Sequence, residues 1–216
     1  MEFADFLSRG VPPIVAILRG VRPEEATDIG HALVDAGIRL IEVPLNSPEP
    51  LQSIARLHAT LGNEASIGAG TVLSAEAVDT VASAGARFIV MPNTDVSVIR
   101  RARALGLEPM PGFFTASEAF AAVGAGAKRL KLFPANSSAP EHIKSLRDVL
   151  PPDIQIWAVG GTGVANMAQW LQQGATGIGV GGGLYRPGAT PETIGRRARD
   201  LVAAWKTTTT GKATTT

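Results

Sequence analysis

Short apolar runs alternate with amphipathic stretches along almost the whole chain. The runs at residues 13–19, 40–45, 66–72, 88–92, 108–112, 129–133, 155–159 and 177–180 recur roughly every 20 to 28 residues. They are too short for helices and read as strands buried on both faces. Helix start signals stand between them at Arg22-Pro23-Glu24-Glu25, Ser47-Pro48-Glu49, Ser74-Ala75-Glu76 and Thr115-Ala116-Ser117-Glu118. Proline in a first turn, a hydroxyl cap and an early glutamate suit the unpaired amides and positive end of a helix. Gly37, Gly85, Gly106, Gly126 and Gly174 stand where a left-handed residue closes one.

Strands alternating with helices imply a parallel sheet with right-handed crossovers. Eight such units close into a (β/α)₈ TIM barrel, and a helix over residues 2–8 is expected to cover its floor. An open doubly wound sheet would carry a Gly-x-Gly-x-x-Gly turn after its first strand, and here that strand runs into Arg19-Gly20. The expected organisation is one α/β domain over residues 1–205, followed by a disordered Thr-rich tail at 206–216.

Composition narrows the function. The chain has 216 residues, 45% of them hydrophobic, and a formal charge of +1, which gives no basic stripe for nucleic acid or an anionic membrane. With no cysteine, disulfides, thiolate nucleophiles and Cys-ligated zinc are excluded. The opening Met1-Glu2-Phe3-Ala4-Asp5 lacks the basic start and apolar core of a signal peptide. No apolar run reaches a membrane span, so the expected location is cytoplasmic.

The most informative residue is Lys131, inside Arg129-Leu130-Lys131-Leu132-Phe133-Pro134. Core lysines are rare unless paired or used, and a desolvated ammonium gives up its proton easily. A neutral amine is what Schiff-base chemistry needs. The plainer reading lets the stem snorkel to the strand end and leaves the head solvated. Strand parity places Arg19, Glu42 and Lys131 on inward faces near one mouth, at the end where barrel enzymes keep their chemistry. Lys131 would supply the amine, Glu42 a proton shuttle, and Arg19 a fork for a carboxylate or phosphate. Glu42 and Arg19 could instead be structural ion-pair partners, but three such charges converging on one mouth favour chemistry.

The seventh strand ends in Val159-Gly160-Gly161 and the eighth runs into Gly179-Val180-Gly181-Gly182-Gly183. Loops after these strands often seat a phosphate on backbone amides, although glycine also serves ordinary tight turns. His31, His58 and His142 fall on helical segments with no shared spacing and read as packing or surface residues. Trp157, Trp170 and Trp205 read as packing residues, and Arg196, Arg197 and Arg199 as a solvated helix face.

Several motifs together resemble the class I KDPG/KDPGal aldolases. They are Ile17-Leu18-Arg19-Gly20, Ile41-Glu42-Val43-Pro44-Leu45-Asn46-Ser47-Pro48, Gly68-Ala69-Gly70-Thr71-Val72, Met91-Pro92-Asn93, Pro111-Gly112 and Leu130-Lys131-Leu132-Phe133-Pro134. The resemblance spans about residues 12–188. It implies a homotrimeric carbon–carbon lyase of carbohydrate metabolism that cleaves a phosphorylated 2-keto-3-deoxy sugar acid through a Schiff base. Its products would be pyruvate and glyceraldehyde 3-phosphate. No metal or other cofactor is implied beyond the covalent adduct on Lys131. Glu42 to Pro48 and Ala158 to Gly161 resemble the galactonate branch, which points to galactose catabolism. Val159 stands where the gluconate branch more often has a threonine that could address the C4 hydroxyl.

The resemblance further implies that Arg19 and Thr71 hold the substrate carboxylate, and that Pro92 and Phe133 wall the pyruvyl pocket. Gly161, Gly181 and Gly182 would then seat the phosphate. Two positions depart from the family pattern. Gly182 stands where a serine is common, and Asn46 where the gluconate branch has an arginine. The alternatives are cleavage of the gluconate epimer or of 4-hydroxy-2-oxoglutarate, and a non-catalytic sugar-phosphate-binding barrel.

Overall fold

The computed structural model describes residues 3–210. Its elements are α1 (Phe3–Ser8), β1 (Ile14–Ile17), α2 (Pro23–Asp35), β2 (Leu40–Pro44), α3 (Pro50–Leu61), β3 (Ser66–Gly70), α4 (Ala75–Ser83), β4 (Phe88–Val90), α5 (Val96–Ala104) and β5 (Glu108–Met110). There follow β6 (Gly112–Phe113), α6 (Ala116–Gly124), β7 (Arg129–Leu132), a 3₁₀ turn (Ala135–Ser137), α7 (Glu141–Arg147), β8 (Gln155–Val159), α8 (Met167–Gln172), β9 (Gly177–Val180) and α9 (Pro191–Thr210).

The strands form one parallel sheet in the order β5-β4-β3-β2-β1-β9-β8-β7-β6. Its two ends, β5 and β6, are neighbours in the chain, joined at Pro111. The fifth expected strand is therefore split in two, because proline has no N–H to continue the ladder. The Pro111 carbonyl still accepts the Lys131 amide at 2.8 Å, while β5 pairs with β4 and β6 with β7. The result is the expected barrel, nearly closed, with its seam at this joint.

Alternate strand residues fill the interior. Val15, Ile17, Leu40, Phe88, Val90, Met110, Trp157 and Val159 form a core cluster distinct from the larger one between sheet and helices. The expected helical plug is present as α1. Phe3 meets Phe88 and Trp157 edge-on, with ring centroids 5.1 and 5.5 Å apart. Burying Phe3 and Phe6 there fixes the floor of the barrel.

Ser74 and Thr115 cap α4 and α6, and the five glycines read as stops have φ between 75° and 102°. Ser47 does not cap a helix, since α3 begins at Pro50 after Glu49. Its hydroxyl instead accepts the Gly20 amide at 2.9 Å, tying the loop after β1 to the loop after β2. The tail expectation also needs correcting, because α9 continues through residues 206–210. Thr207, Thr208 and Thr209 donate their hydroxyls one turn back, to the carbonyls of Ala203, Ala204 and Trp205. This satisfies the threonines locally and lets the helix run on. Residues 211–216 of the expected tail lie outside the described residues.

Candidate active site

The strand registers place the charged residues. Glu42 on β2 lies beside Ile17 of β1 and Gly68 of β3, and Lys131 on β7 lies between Gly112 and Trp157. Both are buried, at 2% and 6% exposure. Arg19 sits beyond the end of β1 rather than within it, and is exposed at the mouth. Its Nη1 donates to Asn46 Oδ1 at 2.5 Å, so the asparagine orients the guanidinium.

Gly70 makes room for Glu42. A Cβ at this position would lie 1.7 Å from Glu42 Oε2, so only glycine on β3 lets the carboxylate lean inward. Oε2 is sealed from solvent with no hydrogen-bond partner. Burial therefore raises the Glu42 pKa from 4.5 to about 7, and the positive charges of Lys131 and Arg19 only partly oppose this. Such a carboxyl can both take and return a proton at neutral pH.

The same burial lowers the Lys131 pKa. The Glu42 charge acts against that shift and the Arg19 charge adds to it. Two residues away on the same face, Arg129 shows the contrasting case. It pairs with Glu108 at 2.9 Å near the floor and lies 4.8 Å over the Phe3 ring. That is how a buried cation is neutralised structurally. Lys131 rests its Nζ 4.3 Å from the Phe133 ring centroid and, among the described residues, enters no salt bridge.

A cleft of about 390 Å³ opens above Lys131. Of the site residues read from the sequence, Arg19, Lys131, Phe133, Val159, Gly161, Gly181 and Gly182 line it. Glu42, Thr71 and Pro92 are not among the lining residues. Glu42 is buried in the wall. Thr71, half-buried with φ of 58°, and Pro92, against Gly112, follow the ends of β3 and β4. Gly160 and Gly161 have φ of 110° and 70°, a conformation costly for other residues, and they turn the backbone back toward Asn136.

The sequence reading missed two polar lining residues. Thr162 donates to the Gly179 carbonyl at 2.6 Å and ties the two glycine loops together. Arg186 lines the cleft with its Nε donating to the Gly182 carbonyl at 3.0 Å. The available signal was a cation just beyond a glycine run, close enough for one tight turn to return it. The amides of Leu184 and Tyr185 make that turn, both bonding the Gly181 carbonyl. Arg197 also differs from expectation. It is half-buried and donates to the Leu184 carbonyl at 3.2 Å. His142 behaves as a packing residue, stacked on Phe114 and bonded to its carbonyl oxygen.

An aldolase family model, described as KDPG and KHG aldolase, matches residues 9–190. The 2-dehydro-3-deoxy-6-phosphogalactonate aldolase of Escherichia coli (strain K12) is 46% identical over 194 residues, 90% of this chain and 95% of that protein. The KHG/KDPG aldolase of the same strain is 30% identical over 161 residues, 74% of each chain. A solved structure described as native KDPGal superposes with a TM-score of 0.90 at 45% identity, covering 92% of this chain and 96% of the other.

Proposed function

Because the chain belongs to the KDPG and KHG aldolase family, we propose that it cleaves 2-dehydro-3-deoxy-6-phosphogalactonate to pyruvate and glyceraldehyde 3-phosphate through a Schiff base on Lys131. The observation that carries the reading is the buried pair itself. One environment moves the Glu42 carboxyl and the Lys131 amine toward their neutral forms, which are the forms the chemistry starts from. The galactonate preference is supported by 46% identity to the galactonate enzyme against 30% to the KHG/KDPG enzyme. Val159 in the cleft wall supports it as well.

Neutral Lys131 attacks the C2 ketone, and protonated Glu42 gives its proton to the departing hydroxyl, so that water leaves, the lysine becomes an iminium and Glu42 becomes a carboxylate. Glu42 accepts the proton of the C4 hydroxyl, directly or through water. The C3–C4 electrons then flow into the iminium, giving an enamine and releasing glyceraldehyde 3-phosphate. Glu42 returns its proton to C3, and water hydrolyses the resulting iminium to pyruvate and free lysine. Arg19 and Thr71 hold the carboxylate, Pro92 and Phe133 wall the pyruvyl group, and Gly161, Gly181 and Gly182 offer amides to the phosphate. The reading calls for no metal, a cytoplasmic setting and a homotrimer.

Borohydride reduction in the presence of pyruvate should leave an adduct mapped to Lys131. The purified enzyme should show higher kcat/KM on the galactonate than on the gluconate epimer. Folded protein with an unmodified Lys131 would sink the mechanism, and a gluconate preference would sink the substrate assignment.

A further inference from the structure

The cleft has more positive charge than Schiff-base chemistry uses. Arg19, Lys131 and Arg186 all line it, and among the described residues none of the lining side chains is acidic. The charge of Arg19 is felt at both Glu42 and Lys131, which places it at the reacting end of the substrate. Arg186 belongs to the glycine loop instead. A second anionic group, remote from the reacting carbonyl, is the ligand that this second arginine fits.

We propose that Arg186 is the charged residue that grips the substrate's phosphate and sets the preference for a phosphorylated substrate. The inference rests on the aldolase reading and deepens it. A Cβ built on Gly182 would meet only the Arg186 Nε, at 4.0 Å, so the open space over this glycine faces the guanidinium. The Nε bond to the Gly182 carbonyl orients the fork, and among the described residues neither Nη group is hydrogen-bonded, so both can meet an anion. The loop is held on either side. Buried Tyr185 donates its hydroxyl to Glu25 Oε1 at 2.7 Å, and Arg197 holds the Leu184 carbonyl at 3.2 Å. An otherwise exposed arginine is thereby pre-positioned, which lowers the ordering cost of gripping the phosphate.

The test compares full-length wild type, Arg186→Met and Arg186→Lys on the phosphorylated substrate and on the same sugar acid without phosphate. Arg186→Gln serves as a second neutral variant should Arg186→Met fail to fold. The ratio of kcat/KM, phosphorylated over phosphate-free, should fall about 10- to 100-fold in Arg186→Met, mainly through KM, with Arg186→Lys intermediate. Inorganic phosphate, titrated calorimetrically, should bind the neutral variant at least about tenfold more weakly than wild type. A ratio within about twofold of wild type overturns the proposal, whether both substrates lose equally or neither does. A wild type without phosphate preference also overturns it, as does unchanged phosphate binding. Borohydride trapping of pyruvate in the same samples separates the two failures. Trapping on Lys131 with an unaltered ratio defeats the role of Arg186 alone, whereas wild type without trapping defeats the aldolase reading.

Discussion

Replacing Glu42 by glutamine should stabilise the protein at alkaline pH while abolishing most of its activity. Burial raises the Glu42 pKa from 4.5 to about 7. The folded state therefore binds the proton more tightly than the unfolded state does. Stability from this group is fully present below pH 4.5 and is lost as pH rises through about 7. At about 1.4 kcal/mol per tenfold, ionising the buried carboxyl costs about 3 kcal/mol, most of it incurred between about pH 5 and 8. Glutamine keeps the shape and never ionises. In a chain of this size, Glu42→Gln should thus gain about 5 to 10 °C in Tm relative to wild type between those two pH values. The assay is thermal unfolding of both proteins across pH, and comparing slopes cancels packing differences that do not depend on pH. If Glu42 carries the proton in the proposed mechanism, the variant should also lose about 10²- to 10⁴-fold in kcat. Parallel Tm curves for the two proteins would show that Glu42 ionises normally, and the argument from burial would fail.

Two further substitutions probe the site. Gly70→Ala puts a methyl group 1.7 Å from Glu42 Oε2 and must push the carboxylate aside. It should lower kcat and cost about 1–3 kcal/mol of stability, while mass mapping still finds the pyruvate adduct on Lys131. Loss of the adduct as well would mean that Gly70 supports more than Glu42. Val159→Thr changes a cleft-lining side chain that is 5% exposed and adds a hydroxyl in need of a partner. It should shift the kcat/KM ratio of the two C4 epimers toward the gluconate form by about tenfold, and an unchanged ratio would remove this position from substrate discrimination.

Elements set by local rules were legible along the chain. The strands at Gln155–Val159 and Gly177–Val180 have the expected bounds, and the left-handed glycines sit where helices end. Each depends on residues within a few positions, through burial of an apolar run or access to positive φ. Ser47 was misread because a hydroxyl two residues before a glutamate looks like a cap from either side. Its true partner, the Gly20 amide, is 27 positions away. The Thr-rich segment looked unstructured by composition, yet threonine can satisfy its hydroxyl on the preceding turn once a helix is under way.

The chain by itself carried the barrel, through the period of its apolar runs, and carried Lys131, Glu42 and Arg19, through parity at strand ends. A charge inside an apolar strand is costly enough to stand out in one dimension. Whether such a charge is neutralised or poised depends on contacts between distant strands. Folding paired Arg129 with Glu108 and left Lys131 over Phe133. Glu42 leans into the space that Gly70 leaves, away from water, and burial outweighed the opposing charges at both groups. Arg186 joined the cleft by a turn that no periodicity announces. Identity and spacing are written along the chain, but desolvation belongs to the closed barrel, because it depends on what every other strand excludes.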